Sequence, residues 1–147
     1  MTKKISELTA ASALDGSETF EGVQSSESKK VTAAQVATYA KAPGLNAQTG
    51  TTYTLVLTDA NKAVTMSNAS ANTLTIPTNT SVAFPLGTVV SVVQQGAGTT
   101  TVVGDTGVTV NGTSAGSADI TAQYSAVSLL KIGTDEWNLA GDHGGVA

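Results

Sequence analysis

The chain has 147 residues, no cysteine and no arginine, and only 12% of its residues are charged, about half the fraction usual in soluble domains. Without cysteine it has no disulfide, thiolate metal site or thiol nucleophile. Beyond residue 42, two lysines stand against six acidic residues, and this acidic balance argues against nucleic-acid and anionic-membrane partners, which bind through positive charge.

The first 42 residues differ from the rest of the chain. They hold five lysines and five acidic residues, so that this part is neutral. Ile5, Leu8 and Leu14 are spaced among polar and small residues, a pattern that suits either a short helix or an extended arm. We favour the arm, because serine, threonine and glycine are frequent there.

A pair of short strands is predicted next. Residues 19–24 form the first strand, with Phe20 as its main apolar side chain. The serine-rich residues 25–28 form a turn, and residues 29–31 return as the second strand.

A helix is predicted over residues 33–41. Thr32 and Gln35 have the spacing of a capping box, in which the threonine hydroxyl accepts from the glutamine N–H and the glutamine side chain reaches back. Val31 and Val36 flank them at the positions of a hydrophobic staple. The proline–glycine pair that follows ends the helix.

The predicted helix is too short to be stable alone. Its apolar stripe is narrow and consists of Val36, Tyr39 and Ala40. It must therefore pack on the body, a sister subunit or a host surface. Val36 and Tyr39 are candidate contacts between subunits.

Beyond a linker at residues 43–50, the apolar period changes from helical to alternating, and residues 51–147 form the body. Seven to nine short strands with frequent turns predict a mainly β fold of the β-sandwich or jelly-roll type, with no strict repeat of the solenoid kind. The side chains expected on inward faces include Tyr53, Leu55, Leu57, Val64, Met66, Leu74, Ile76, Trp137 and Leu139.

The strand at residues 88–94 is apolar on both faces, through Val89, Val90, Val92 and Val93. A strand of this kind is buried on both faces. It is either central in a packed sheet or has one face against another subunit. Val90 and Val92 are therefore further candidate contacts between subunits.

Residues able to support catalysis are few. The one histidine, His143, lies beside Asp142 in a glycine-rich tail, where a solvated residue is the simplest interpretation. Most other acidic residues of the body lie in or near turns, and no pair has the spacing that hydrolysis needs; those we considered are Asp105, Asp119, Asp135 and Glu136. Trp137 is assigned to the core rather than to a sugar-stacking platform. We expect no enzyme activity, no cofactor and no metal.

Two stretches resemble structural proteins of bacteriophage particles. The first runs I-S-E-L-T-A-A-S-A-L from Ile5 to Leu14, then V-Q at residues 23–24 and K-V-T at residues 30–32. It is similar to the N-terminal segment of phage fibre and head-decoration proteins. The second, residues 74–112 with residues 122–142, resembles the β domain that ends many phage tail-fibre and virion proteins.

This resemblance implies a structural part of the virion, made in the host cytoplasm, and a homotrimer. A short linker without a shaft favours a capsid decoration (cement or head-fibre) protein that docks on the major capsid protein. The alternative is a short tail-fibre or tail-adaptor protein that contacts tail proteins and binds a host glycan receptor. In either case the side chains expected to anchor the arm to the particle are Ile5, Leu8, Leu14, Phe20 and Val23.

Overall fold

The computed structural model describes residues 19–24, 27–32 and 44–147, and the chain divides into two compact units, Met1–Ala42 and Pro43–Ala147. In the first unit, strands β1 (Thr19–Gln24) and β2 (Glu27–Thr32) pair antiparallel. The predicted hairpin is therefore confirmed, although its second strand begins two residues earlier than expected.

Several sequence-based predictions fall outside the described residues. These are the helix at residues 33–41 with Gln35, Val36 and Tyr39, and the anchoring side chains Ile5, Leu8 and Leu14. Val31 and Thr32 are the last two residues of β2, and Phe20 and Val23 lie in β1.

The second unit contains two sheets, and the predicted mainly β fold with packed sheets is confirmed. Its strands are β3 (Leu45–Gln48), β4 (Thr52–Thr54), β5 (Ala63–Met66), β6 (Asn72–Ile76), β7 (Val89–Gln94), β8 (Thr100–Gly104), β9 (Thr109–Val110), β10 (Thr113–Ser114), β11 (Ser117–Asp119), β12 (Ala126–Gly133) and β13 (Glu136–Gly141). One sheet has seven strands in the order β10-β9-β13-β12-β7-β5-β3, and the other has four in the order β11-β8-β6-β4.

Six of these strands form stacked coils. The chain alternates between the sheets, so that β3, β5 and β7 lie parallel in one sheet while β4, β6 and β8 lie parallel in the other. Parallel neighbours need a crossover connection, and here each crossover is the strand in the opposite sheet. This pairing differs from a jelly roll, whose strands are antiparallel.

The last two coils repeat with one offset. Ala63 pairs with Ser91 in one sheet and Asn72 pairs with Thr100 in the other, a difference of 28 positions in both cases. The preceding coil has offsets of 18 and 21 positions. The stack needs only inward apolar positions and compact corners, so few residues are identical between coils. The repeat is therefore not visible in the sequence.

Antiparallel strands close one end of the stack. β12 pairs with β7 and β13 pairs with β12, while β11 pairs with β8. Between the sheets lies a continuous apolar core that includes Leu55, Val64, Met66, Leu74, Ile76, Val90, Val92, Leu129 and Leu139. Trp137 is also in this core and meets Phe84 edge to face, with ring centroids 5.5 Å apart.

Two predictions of the sequence analysis are wrong in detail. The predicted linker contains β3, because Leu45–Gln48 pair with β5 as an edge strand. Leu57, expected inside, is 52% exposed. The extended chain ends at β4, and a 3-10 helix at Leu57–Asp59 turns the side chain of Leu57 outward while that of Asp59 is buried.

Candidate functional site

The outward surface of the seven-stranded sheet carries no charge over four neighbouring strands. Its side chains alternate with the buried ones of β3, β5, β7 and β12 and lie in cross-strand register. We call this surface the neutral face; it consists of Leu45, Ala47, Ala63, Thr65, Val89, Ser91, Val93, Ala126, Ser128 and Leu130. Among these, Leu45, Val89 and Leu130 expose large apolar side chains to solvent.

The sequence-based prediction that Val90 and Val92 of β7 contact another subunit is wrong. Val90 and Val92 are completely buried in the protomer's own core, so their side chains are unable to reach a second subunit. The strand is apolar on both sides as expected, but its second side, with Val89 and Val93, is only partly covered. Any contact between copies through β7 must use that second side.

An open cavity of about 230 Å³ lies at the margin of the neutral face, lined by Asn61, Lys62, Val89 and Ser91. Small-molecule sites usually enclose about 300–1,000 Å³ and surround the ligand. The cavity is smaller than this and open to solvent, so it lacks the enclosure that such a site provides.

Three of the acidic side chains considered as catalytic candidates accept hydrogen bonds within the body, and the fourth, Glu136, is exposed. Asp105 accepts from the N–H of Thr106 at 2.7 Å. Asp119 accepts from the hydroxyl of Thr101 at 2.5 Å, and Asp135 accepts from the N–H of Asn79 at 2.5 Å. The Asp105 bond is of the local kind that stabilises turns, whereas those of Asp119 and Asp135 join segments that are distant along the chain.

Asp142 and His143 do not form a catalytic arrangement. Both Asp142 carboxylate oxygens are occupied by hydroxyl donors, Oδ2 by Ser125 and Oδ1 by Thr121, the latter at 2.5 Å. These hydrogen bonds, that of Ser125 first, lower the pKa of Asp142 below its usual value. The His143 ring contacts the carbonyl of Gly144 through Nδ1. A nucleophile activated by this histidine would need a direct hydrogen bond to it, and Ser125 donates to Asp142 instead.

No family model matches the sequence, and no curated protein is significantly similar to it. Within residues 19–24, 27–32 and 44–147, no group of three metal-ligating side chains lies close enough to hold an ion. None of the helices in that part of the chain has the length and apolar character to cross a bilayer. The candidate sites must therefore be judged from their geometry.

A polar cluster around Asp59 was not anticipated. The buried Asp59 carboxylate accepts from Asn46 Nδ2 at 2.7 Å, from the Tyr53 hydroxyl at 2.7 Å and from the Val56 N–H at 2.9 Å. Gln48 Nε2 donates to Asn46 Oδ1 at 2.6 Å. Burial, followed by the hydrogen bond to Asp59, raises the pKa of Tyr53 to about 12. The cluster satisfies the inward side of edge strand β3 and therefore has a structural role.

A second unexpected cluster surrounds Lys131, which is only 3% exposed. Its Nζ donates to Asn79 Oδ1 at 2.5 Å and to the Phe84 carbonyl at 2.8 Å, and it lies 6.0 Å from the centroid of the Trp137 ring. Because Asn79 also donates to Asp135, the cluster fastens the loop between β6 and β7 to the β12–β13 hairpin. An alternating strand pattern gives no signal for an inward lysine.

The loop between β11 and β12 presents an aromatic side chain to solvent. Tyr124 is 74% exposed, and its backbone is in the left-handed region, with φ of 68°. This conformation is unfavourable for a bulky residue by roughly 1–2 kcal/mol. The sequence gives no signal for this conformation, because alternation of apolar residues carries no information on the sign of φ.

Proposed function

We propose that this chain is a non-enzymatic structural protein of a bacteriophage particle, of the capsid decoration (cement or head-fibre) kind. Its first 42 residues anchor it to the capsid, through side chains including Phe20 and Val23, and its body associates with two further copies. The partners are the major capsid protein and the chain itself, without nucleic acid or membrane. The protein is made in the host cytoplasm and resides on the virion.

The neutral face is the observation that carries this proposal. Exposed apolar side chains that are grouped on one surface often mark an interaction site, and the neutral face exposes Leu45, Val89 and Leu130 with no charged side chain among them. The body carries two lysines and six acidic residues, so its net negative charge disfavours contacts between acidic surfaces of two copies, and an uncharged surface avoids this repulsion. The neutral face therefore suits association with other copies.

The distribution of polar groups supports a structural role. Asp59, Asp105, Asp119, Asp135 and Asp142 each accept hydrogen bonds that hold a loop or strand in place. A catalytic carboxylate needs free access to a substrate and an environment that adjusts its pKa to the reaction. These groups instead stabilise the scaffold.

Removal of residues 1–42 tests the anchor. We expect the remaining body to fold, because it forms a compact unit of its own, and to lose co-sedimentation with particles that lack the protein. Circular dichroism checks the fold of the shortened chain. Undiminished binding of this chain to the particles contradicts the proposed anchor.

A lysine on the neutral face tests the association of copies. Leu130→Lys adds a charge on the β12 side of the neutral face, next to Val89, and should convert the trimer to monomers in sedimentation velocity. Thr73→Lys, on the outward surface of the four-stranded sheet, is the matched control and should leave the trimer intact. A wild-type protein that is monomeric at high concentration refutes the trimer.

The copy number per particle separates the capsid from the tail. A decoration protein occupies repeated positions on the shell and should be abundant in purified virions, whereas a tail-fibre or tail-adaptor protein is present at one vertex only. Quantitative mass spectrometry against the major capsid protein measures the ratio. A ratio matching a single vertex favours the tail alternative.

A further inference from the structure

The exposed tyrosine of the β11–β12 loop is unusual in its backbone. Four residues other than glycine have positive φ in the described part of the chain: Asn61, Asn111, Ala115 and Tyr124. Asparagine tolerates this region because its side chain bonds locally, whereas a bulky aromatic residue does not. A strained residue at the surface indicates that its position is determined by the surrounding structure.

Hydrogen bonds fix the loop on both sides of the tyrosine. The Tyr124 N–H donates to the Gln94 carbonyl at 2.6 Å, and the Gln94 N–H donates to the Ser125 carbonyl at 3.0 Å. The side chain of Gln123 donates to the Gln95 carbonyl at 3.0 Å. The loop is thus attached to the end of β7. Because the backbone of Tyr124 is held in place, less conformational entropy is lost when a ligand binds to its exposed ring.

The residues of the loop beside Tyr124 are mostly polar. Thr121 and Ser125 flank the tyrosine in the loop, and both donate their hydroxyls to Asp142. The other large apolar side chains exposed in the described residues belong to other segments: Leu45, Val56, Leu57, Leu86, Val89, Leu130 and Ile132. An aromatic contact residue in a protein interface usually lies within an apolar centre. A single ring among hydroxyl, amide and carboxylate groups instead suits a hydroxylated ligand.

We propose that residues 121–125 with Asp142 form a binding site for a saccharide. The Tyr124 ring stacks on the apolar face of a pyranose, because it offers a rigid flat surface with few rotatable bonds. Gln123 Oε1 accepts a hydrogen bond from a sugar hydroxyl. The Asp142 carboxylate, whose two oxygens each already accept from Thr121 or Ser125, accepts a further one through its remaining lone pairs. Because the body is acidic, the site selects neutral sugars or N-acetylhexosamines over acidic ones.

The site does not depend on the proposed place of the protein in the particle. A decoration protein would use it to hold the virion near a polysaccharide surface, and a tail protein would use it to contact the host. The variants below leave residues 1–42 and the neutral face unchanged. Particle association is therefore expected to stay intact in them, and failure of one proposal is distinguishable from failure of the other.

The test uses the full-length protein on an array of immobilised glucan, galactan, mannan, N-acetylglucosamine oligomers and polyglucuronate, followed by saturation-transfer NMR with soluble oligomers of each class that binds. We expect binding to at least one neutral class and none to polyglucuronate. Tyr124→Ala should weaken it by about tenfold or more, and Tyr124→Phe should retain it within about threefold. Leu86→Ala, which removes an exposed apolar side chain elsewhere, should bind like the wild type.

Tyr124→Gly provides a second variant that is expected to fold well. Glycine accepts positive φ without strain, so its melting temperature should equal or exceed that of the wild type while saccharide binding is lost. The proposal is overturned if no saccharide on the array binds, or if Tyr124→Ala binds as well as the wild type. Preferential binding to polyglucuronate also overturns it, since the argument from charge would then be wrong.

Discussion

Thr65 contains a buried hydroxyl that no group in the described part of the chain accepts or donates to. Thr65 lies in register with Ala47 of β3 and Val93 of β7, and only 9% of it is exposed. Burial removes the hydroxyl from water without a compensating hydrogen bond, and such a group costs about 1–3 kcal/mol. The unsatisfied hydroxyl of Thr65 therefore lowers the stability of the fold, and the other contacts of the sheet compensate for this loss.

Thr65→Val should stabilise the protein. Valine has nearly the same shape, keeps the preference for a strand and removes the unsatisfied hydroxyl. We expect the free energy of unfolding to rise by about 1 kcal/mol, measured by urea denaturation. Thr75→Val, on the outward and partly exposed side of β6, is the control and should change stability by less than about 0.5 kcal/mol. A decrease with Thr65→Val would show that the hydroxyl has a partner.

Tyr53 should make stability depend on alkaline pH. Its pKa is raised from 10.0 to about 12 in the folded chain, so the unfolded chain loses this proton first. The contribution of Tyr53 is complete below pH 10 and decreases as pH rises from 10 toward 12. Tyr53→Phe removes this titration and one hydrogen bond to Asp59, and should lower stability at neutral pH by about 1–2 kcal/mol.

Thermal unfolding of the two proteins between pH 8 and pH 11.5 checks this prediction. The wild type should lose its advantage over Tyr53→Phe as the pH increases, because ionised Tyr53 faces the Asp59 carboxylate. A difference in melting temperature that stays constant over this range would contradict the assigned pKa.

The strands of the body show which structural features an alternating sequence pattern predicts and which it does not. Inward residues such as Val64, Leu74 and Leu139 were identified correctly, since alternation is a local property of each strand. The parallel stacking was not identified, because it depends on where the chain goes after each turn. Turns of unequal length separate the coils, so no fixed period marks them in the sequence. Leu57 was wrongly predicted to be buried for a related reason. The alternating pattern continues past Thr54, where the strand ends, so the pattern does not show that Leu57 lies in a 3-10 helix.

The candidate sites were less predictable than the fold. Val90 and Val92 were chosen as interface residues because all the valines of this strand look alike in the sequence, and only the sheet shows which side is buried. The positions of Asp59 and Lys131 inside the body depend on partners such as Asn46 and Asn79, which are distant along the chain. Long-range pairing of this kind has no local signal.

The loops that connect the two sheets at one corner of the stack require glycine, because there is no space for a side chain. A Cβ on Gly96 would overlap the backbone of Asn68, and a Cβ on Gly98 would overlap that of Ser70, because the 95–99 loop lies directly on the 67–71 loop. The Gly98 N–H donates to the Asn68 carbonyl at 3.0 Å, which keeps the two loops in contact. These contacts connect successive coils at one corner.

Gly98→Ala should therefore be strongly destabilising. The methyl group meets backbone that is itself hydrogen-bonded, and we expect a loss of about 3 kcal/mol or a failure to fold. Gly144→Ala is the matched control, since a Cβ there has nothing within 4 Å. Its stability should lie within about 0.5 kcal/mol of the wild type. Chemical denaturation of both variants provides the comparison, and a Gly98→Ala protein as stable as the control would refute the packing of the corners.

At the scale of the whole body, stability should be unevenly distributed. β7 and β12 are central in the seven-stranded sheet and have partners on both sides, whereas β3 and β10 are its edges. Interior strands open only in near-global unfolding, while edges open locally. Hydrogen exchange followed by NMR should show the slowest amides in β7 and β12 and faster ones in β3 and β10. Uniform exchange over all four strands would indicate that the body unfolds only as one unit.

The equal offset of the last two coils means that the body is extensible in principle. A second copy of residues 63–90 inserted after residue 90 would meet its neighbours in register in both sheets at once, since each pairing is displaced by the same 28 positions. Gene duplication would thus lengthen the stack of coils without changing the strands that terminate it. A body of this design has a simple evolutionary route from a short stack to a longer one.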